Sequence, residues 1–129
     1  MVYTPQGIRP AFFPYGGKKA FSSTTSNAPS MIEKRIPLSH KEGTGYVIPL
    51  GPVNLVFIKT DIGFVGCGAF DISALDRFGY PAARARTSQG NPIATLEDLL
   101  EGLIKDANQY AAVRGIREDM PVKDALNLL

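Results

Sequence analysis

Between Val53 and Lys59 apolar residues stand on both sides of the chain at its centre, with Val56 and Ile58 β-branched and Phe57 aromatic. This is the composition of a strand buried in a sheet. Asp61-Ile62-Gly63 predicts a tight turn, and Phe64 to Cys67 the antiparallel partner. Upstream, Ile32 to Ile36 is short and mixed and is ended by Pro37, which suits an edge strand. Ser39 to Gly45 is polar and predicts a loop; Tyr46 to Leu50 predicts a strand that turns at Gly51-Pro52.

Beyond Asp71 the period becomes helical. Asp71 is a candidate N-cap for a helix from Ile72 to Phe78, closed by Gly79. Ala82 to Thr87 predicts a further strand, half-exposed because Arg84 and Arg86 alternate with small residues. After a loop over Ser88 to Pro92, Thr95 can cap a helix with Glu97 and Asp98 at its positive end. Leu96, Leu99, Leu100, Leu103, Ala107, Tyr110 and Ala111 continue it as a stripe, with Gly102 as the point where it can split and Gly115 as its left-handed cap. Pro121 suits the first turn of a last helix that turns Val122, Ala125 and Leu128 or Leu129 inward.

Residues 1–30 follow no period. Pro5, Gly7, Pro10, Pro14, Gly16, Gly17 and Pro29 interrupt them, and Ser22 to Asn27 carries only hydroxyls and amides. An irregular arm is expected, its Ala11, Phe12, Phe13 and Tyr15 pinned to the body or to a neighbouring subunit; a loose tail is the alternative. The expected organisation is therefore an arm over 1–30 and one domain over 31–129. Its class is α+β: an N-terminal antiparallel β region, then a helix-rich C-terminal half, with a single layer of helices on a small sheet.

Composition narrows the function classes. At 129 residues, folding would leave roughly 6,700 Å² exposed, enough burial for one core without metal or disulfide staples. A net charge of +2, with no run of Lys and Arg, argues against nucleic acid as a partner. No apolar stretch reaches the ~20 residues that span a bilayer, and Met1 to Pro10 lacks the apolar centre of a secretory signal. Cys67 is the only cysteine, which excludes an intrachain disulfide and fits a reducing, cytoplasmic setting.

The candidate chemistry is concentrated at Gly63 to Asp71, where a strand runs through paired glycines into a capped helix. Gly66 and Gly68 remove side chains on either side of the Cys67 thiol, so that a ligand or another backbone can approach. A helix start beside it offers free N–H donors to a small anion. Activation of such a thiol is demanding. A free thiol of pKa about 8.5 is only ~3% ionised at pH 7, and bringing it to 7 takes about 2 kcal/mol, whereas a helix terminus typically supplies about 0.3–1 kcal/mol. A cation has to help, and Arg84 is the candidate, with Asp71 opposing it and Phe64 and Phe70 desolvating the site. The structural alternative is an inert buried thiol, with the glycines forming a bulge and a turn. His40 is the only histidine, so no multi-histidine metal site is expected, and it reads as a loop residue rather than a partner of Cys67. Glu97, Asp98 and Glu101 read as helix-start electrostatics rather than metal ligands, and no phosphate-loop pattern is present.

The run Gly63 to Asp71, followed by Thr95 to Leu100, Ala111 to Ile116 and Met120 to Leu126, resembles the YunC-like family, a bacterial and archaeal domain of unknown function. The likeness covers about Met31 to Leu129, and Cys67, Gly68 and Asp71 are its most distinctive part. It implies homo-oligomerisation through the N-terminal β region, a tetramer as the usual assembly, and no established reaction or cofactor. Arg84 matches an arginine of the family. Residues 1–30 look like an addition, and the loop from Arg86 to Asn91 is longer than the family form. Two functions are thus expected of a small homo-oligomer. In one, the Gly66 to Asp71 turn lines a small-molecule or thiol-dependent site, with Cys67 reactive, Arg84 facing an anionic ligand, and Gly66, Gly68 and Asp71 shaping the turn. In the other, the chain is a structural module without catalysis.

Overall fold

The computed structural model describes residues 30–129; the expected arm, with its aromatic cluster at Phe12, Phe13 and Tyr15, lies outside them. Along the chain run β1 (Ile32–Pro37), β2 (Glu42–Pro49), β3 (Asn54–Lys59), β4 (Phe64–Gly66), α1 (Ile72–Leu75), a 3₁₀ turn at Asp76–Phe78, β5 (Ala82–Arg86), α2 (Leu96–Leu100), β6 (Leu103–Ala107), α3 (Gln109–Ala112) and α4 (Val122–Asn127). The six strands form one sheet in sequence order. All neighbours are antiparallel except β4 and β5, which pair in parallel across the α1 crossover.

Because opposed residues of paired strands share a face, the register sorts the side chains. Val47, Val56, Ile58 and Val65 turn to one side, where Leu96 and Leu99 of α2 and Val122, Ala125 and Leu126 of α4 close over them. The other side carries Tyr46, Phe57 and Phe64. Over β4 and β5 it is covered by Ile72 and Leu75 of α1, which pack with Phe64 and Ala82. Helices therefore lie on both faces, and the expected single layer is corrected.

Three further expectations change. The helix from Thr95 to Ala111 is two short helices with a strand between them. Leu103 to Ala107 pairs with β5, burying Ile104 and exposing Lys105, so tertiary pairing overrides the helical stripe. The C-terminal half is thus not distinctly helix-rich; the N-terminal strands β1 to β4 are antiparallel as expected, and the parallel pairing of β4 with β5 makes the whole sheet mixed. The polar loop ends at Lys41, because Glu42 to Gly45 already belong to β2. Its glycines look loop-like in sequence, yet a Cβ on Gly45 would lie 2.7 Å from a Leu96 methyl, so glycine there leaves room for the α2 side chain that packs on the strand.

Local signals read from the sequence are borne out at several ends. Asp71 caps α1 by accepting from the Ala74 N–H at 3.2 Å. Thr95 and Asp98 form a reciprocal capping box, the Thr95 hydroxyl accepting from Asp98 N–H at 3.0 Å and the Asp98 carboxylate from Thr95 N–H at 3.1 Å. Gly79 and Gly115 are left-handed.

Candidate functional site

Cys67 follows β4 directly and donates its N–H to the Val56 carbonyl at 2.9 Å, which ties the residue to the sheet. Its side chain is among the core residues at 6% exposure. It nevertheless contributes to the wall of a groove of about 530 Å³ where three segments converge: the β2–β3 turn at Leu50 and Val53, the Cys67-Gly68 turn, and Pro92 to Ala94 ahead of α2. The lining is mainly apolar, and Leu50 and Val53 at its rim are themselves well exposed. The two flanking glycines differ in role. A Cβ on Gly66 would fall 2.5 Å from the Phe70 ring, so Gly66 is needed for packing, while Gly68 faces open space.

Arg84 is two strands removed from the β3 end of that groove but reaches back to it. One guanidinium nitrogen, Nη1, donates to the Gly68 carbonyl at 3.4 Å, holding the turn. The other two donate to Asp106 on β6, Nε to Oδ1 at 2.8 Å and Nη2 to Oδ2, in a two-pronged pair. The guanidinium's hydrogen bonds hold the Asp106 carboxyl below the usual carboxylate range, against the opposing effect of burial. Asp106 likewise raises Arg84, first through the hydrogen bond.

The residues singled out in sequence therefore separate into neighbouring hollows. Cys67 and Gly68 line the apolar groove. Asp71 and Arg84 line a polar one of about 260 Å³, together with Asp76, Asp106 and Asn108. Three carboxylates beside one guanidinium make this second hollow net negative, which weakens its hold on an anion. His40 sits in the β1–β2 loop, at the end of the sheet away from Cys67. Asp98 is engaged in capping, and hydrogen bonds from the Ala94 and Thr95 backbone hold its carboxyl low; Glu97 faces Lys34 at 3.8 Å. Among the described residues no group of three or more His, Cys, Asp or Glu is arranged to hold a metal, and no helix is long and apolar enough to cross a membrane.

Two features had no sequence signal strong enough to find them. Asn108 is buried and makes four side-chain bonds that join α1, β5 and α3. On the outer sheet face, Tyr46 stacks on Phe57 with centroids 5.0 Å apart, and Phe57 meets Phe64 at 5.9 Å and Phe70 at 5.4 Å. Tyr80 completes the group at 6.0 Å from Phe64. Alternation within β2 and β3 marks a face, but only register brings these rings together.

Comparison with known proteins finds a likeness of the second half of the chain to an uncharacterised family and a likeness of fold, and no function. Residues 66–129 match the family model described as a domain of unknown function, DUF1805. A solved structure, that of a protein of unknown function, TA1206, from Thermoplasma acidophilum, is 24% identical and superposes with a TM-score of 0.68. The match covers 76% of this chain and 91% of the other. The fold is shared with that protein; the residues matched by the family model begin at Gly66 and include Cys67, Gly68, Asp71 and Arg84. No curated protein matches.

Proposed function

We propose that this chain is a homo-oligomeric assembly module of the YunC-like kind, working in the reducing cytoplasm, whose subunits meet through the outer face of β1 to β3. The observation that carries the reading is the half-exposed aromatic row on that face. Tyr46 and Phe57 stack where no helix of the described residues covers Tyr46; Ile48 and Leu55 lie opposed beside them, and Met31 just ahead of β1 is 54% exposed. A contiguous apolar surface of this kind on a small domain is characteristic of an interface. A tetramer is the assembly expected. Sedimentation equilibrium of the wild-type chain and of Tyr46→Glu tests it. A glutamate buried at such a contact should weaken association at least about a hundredfold, with the fold retained because Tyr46 lies at the edge of the ring cluster. A monomeric wild type, or a variant of unchanged mass, contradicts the proposal.

A second reading is favoured by the groove beside Cys67. In it, the apolar walls take a small uncharged molecule, Cys67 is the contacting or reacting group, Gly66 and Gly68 shape the turn, and Arg84 and Asp71 hold its two ends. Arg84 would meet an anionic ligand only after exchanging Asp106. Maleimide labelling provides the test. Cys67 in the folded chain is expected to react about a hundredfold more slowly than in urea, yet faster than global unfolding permits. Labelling no faster than unfolding would mark a sealed core thiol and remove this reading.

A further inference from the structure

The first strand of the sheet borders a second surface, centred on the helix side of the sheet, where Lys34 and Ile36 point away from the aromatic row. A groove of about 510 Å³ runs along β1 between the sheet and helices α2 and α4. Ile36, Leu38 and Leu100 supply its apolar floor, and Lys34, Arg35 and Lys123 its charged rim, with no carboxylate in the lining. Lys34 stands 3.8 Å from Glu97 and Arg35 4.0 Å from Glu42; all four side chains are more than half exposed. Pairs this open are weak, so Lys34, on the groove side of β1, remains available to a partner. Lys123 has no ion-pair partner among the described residues.

The strand itself supplies the second half of the site. Among the described residues β1 has β2 on one side and nothing on the other, so alternate residues from Ile32 to Ile36 turn N–H and C=O groups outward. Pro37, without an N–H, ends the stretch that can pair. An extended segment laid along this edge would gain backbone hydrogen bonds from β1 while every second side chain entered the groove.

We propose that this groove and edge together dock an extended acidic peptide segment of another protein, which adds a strand to the sheet beside β1. Apolar side chains of the segment rest on Ile36 and Leu100, and its carboxylates meet Lys34 and Lys123. Charge selects this occupant over those closer to hand. Residues 1–29 of the chain contain Arg9, Lys18 and Lys19 and no Asp or Glu. The β1 of a second copy, with Glu33, Lys34 and Arg35, is net cationic as well. Either would bring like charge to the rim.

The experiment is a fluorescence-anisotropy titration of the full-length chain with a labelled peptide of about eight alternating Glu and Val residues, long enough to cover β1. Two probes run beside it: the Lys–Val counterpart, and the Glu–Val peptide N-methylated at every second amide. Saturable binding of the acidic peptide alone is expected. It should weaken about tenfold for N-methylation, and about tenfold for the pair Lys34→Glu and Lys123→Glu, as several exposed ion pairs together would give. Lys105→Glu, on β6 at the opposite sheet edge, should bind as wild type, and unchanged melting temperatures would show that the variants fold. Equal binding of acidic and basic peptides overturns the proposal. So does equal binding of the N-methylated peptide, an equal loss in Lys105→Glu, or no saturable binding.

Discussion

Replacing Asn108 with alanine should destabilise the fold by about 4 kcal/mol, a large part of the roughly 5–15 kcal/mol that a domain of this kind has in total. The Asn108 carboxamide oxygen accepts from the Ala82 N–H at 3.1 Å and the Ala111 N–H at 3.0 Å. Its NH₂ group donates to the Ile72 carbonyl at 3.1 Å and the Tyr80 carbonyl at 2.8 Å. Truncation leaves two donors and two acceptors without partners in an interior where Ala82 and Ala111 are fully buried. Each orphaned group is worth about 1–3 kcal/mol, reduced in sum by relaxation and by any water that enters. Asn108→Asp keeps the shape but turns an oxygen toward two carbonyls, and should be as damaging at neutral pH. Urea unfolding reads both variants; a loss below about 1 kcal/mol would show that this hub is not what joins α1, β5 and α3.

The second large effect belongs to Gly63. A Cβ there would stand 2.1 Å from the Pro81 carbonyl oxygen, and main chain cannot step aside as a side-chain tip can. The same carbonyl accepts the Phe64 N–H at 3.1 Å, at the point where β4 and β5 begin their parallel pairing. Gly63→Ala should therefore spread the two strands, at about 3 kcal/mol, seen as a fall in melting temperature of about 10 °C. Maleimide should also reach Cys67 faster, since the thiol lies just beyond the strand that is displaced. A variant within a few degrees of wild type would mean that the junction is looser than its geometry implies.

Where a signal is local, the sequence was a good guide. Asp71 and Thr95 cap the helices assigned to them because an Asx or threonine cap needs only residues within three positions. The β3 strand and the turn into β4 follow from a continuous apolar run and its glycine. Where the deciding contact is distant, the guide failed. Leu103 continues the helical spacing of Leu96 and Leu99, and only pairing with Arg86 makes it a strand. Gly43-Thr44-Gly45 has the composition of a loop until Leu96 is placed above it. The candidate site fared similarly. Cys67 and Gly68 do meet in one groove, but Arg84 was read without Asp106, its partner from a strand that the helical stripe concealed. Asn108, between Ala107 and Gln109, carries no mark of the four groups it serves.

Assembly through the aromatic face is tested most directly by hydroxyl-radical labelling of Tyr46 across a dilution series, with a free tyrosine derivative as internal standard. If subunits cover the outer face of β2 and β3, Tyr46 labelling should fall steeply as the chain is concentrated and rise again in Leu55→Glu. Labelling that stays constant from dilute to concentrated protein would leave the face open to water and contradict the assembly.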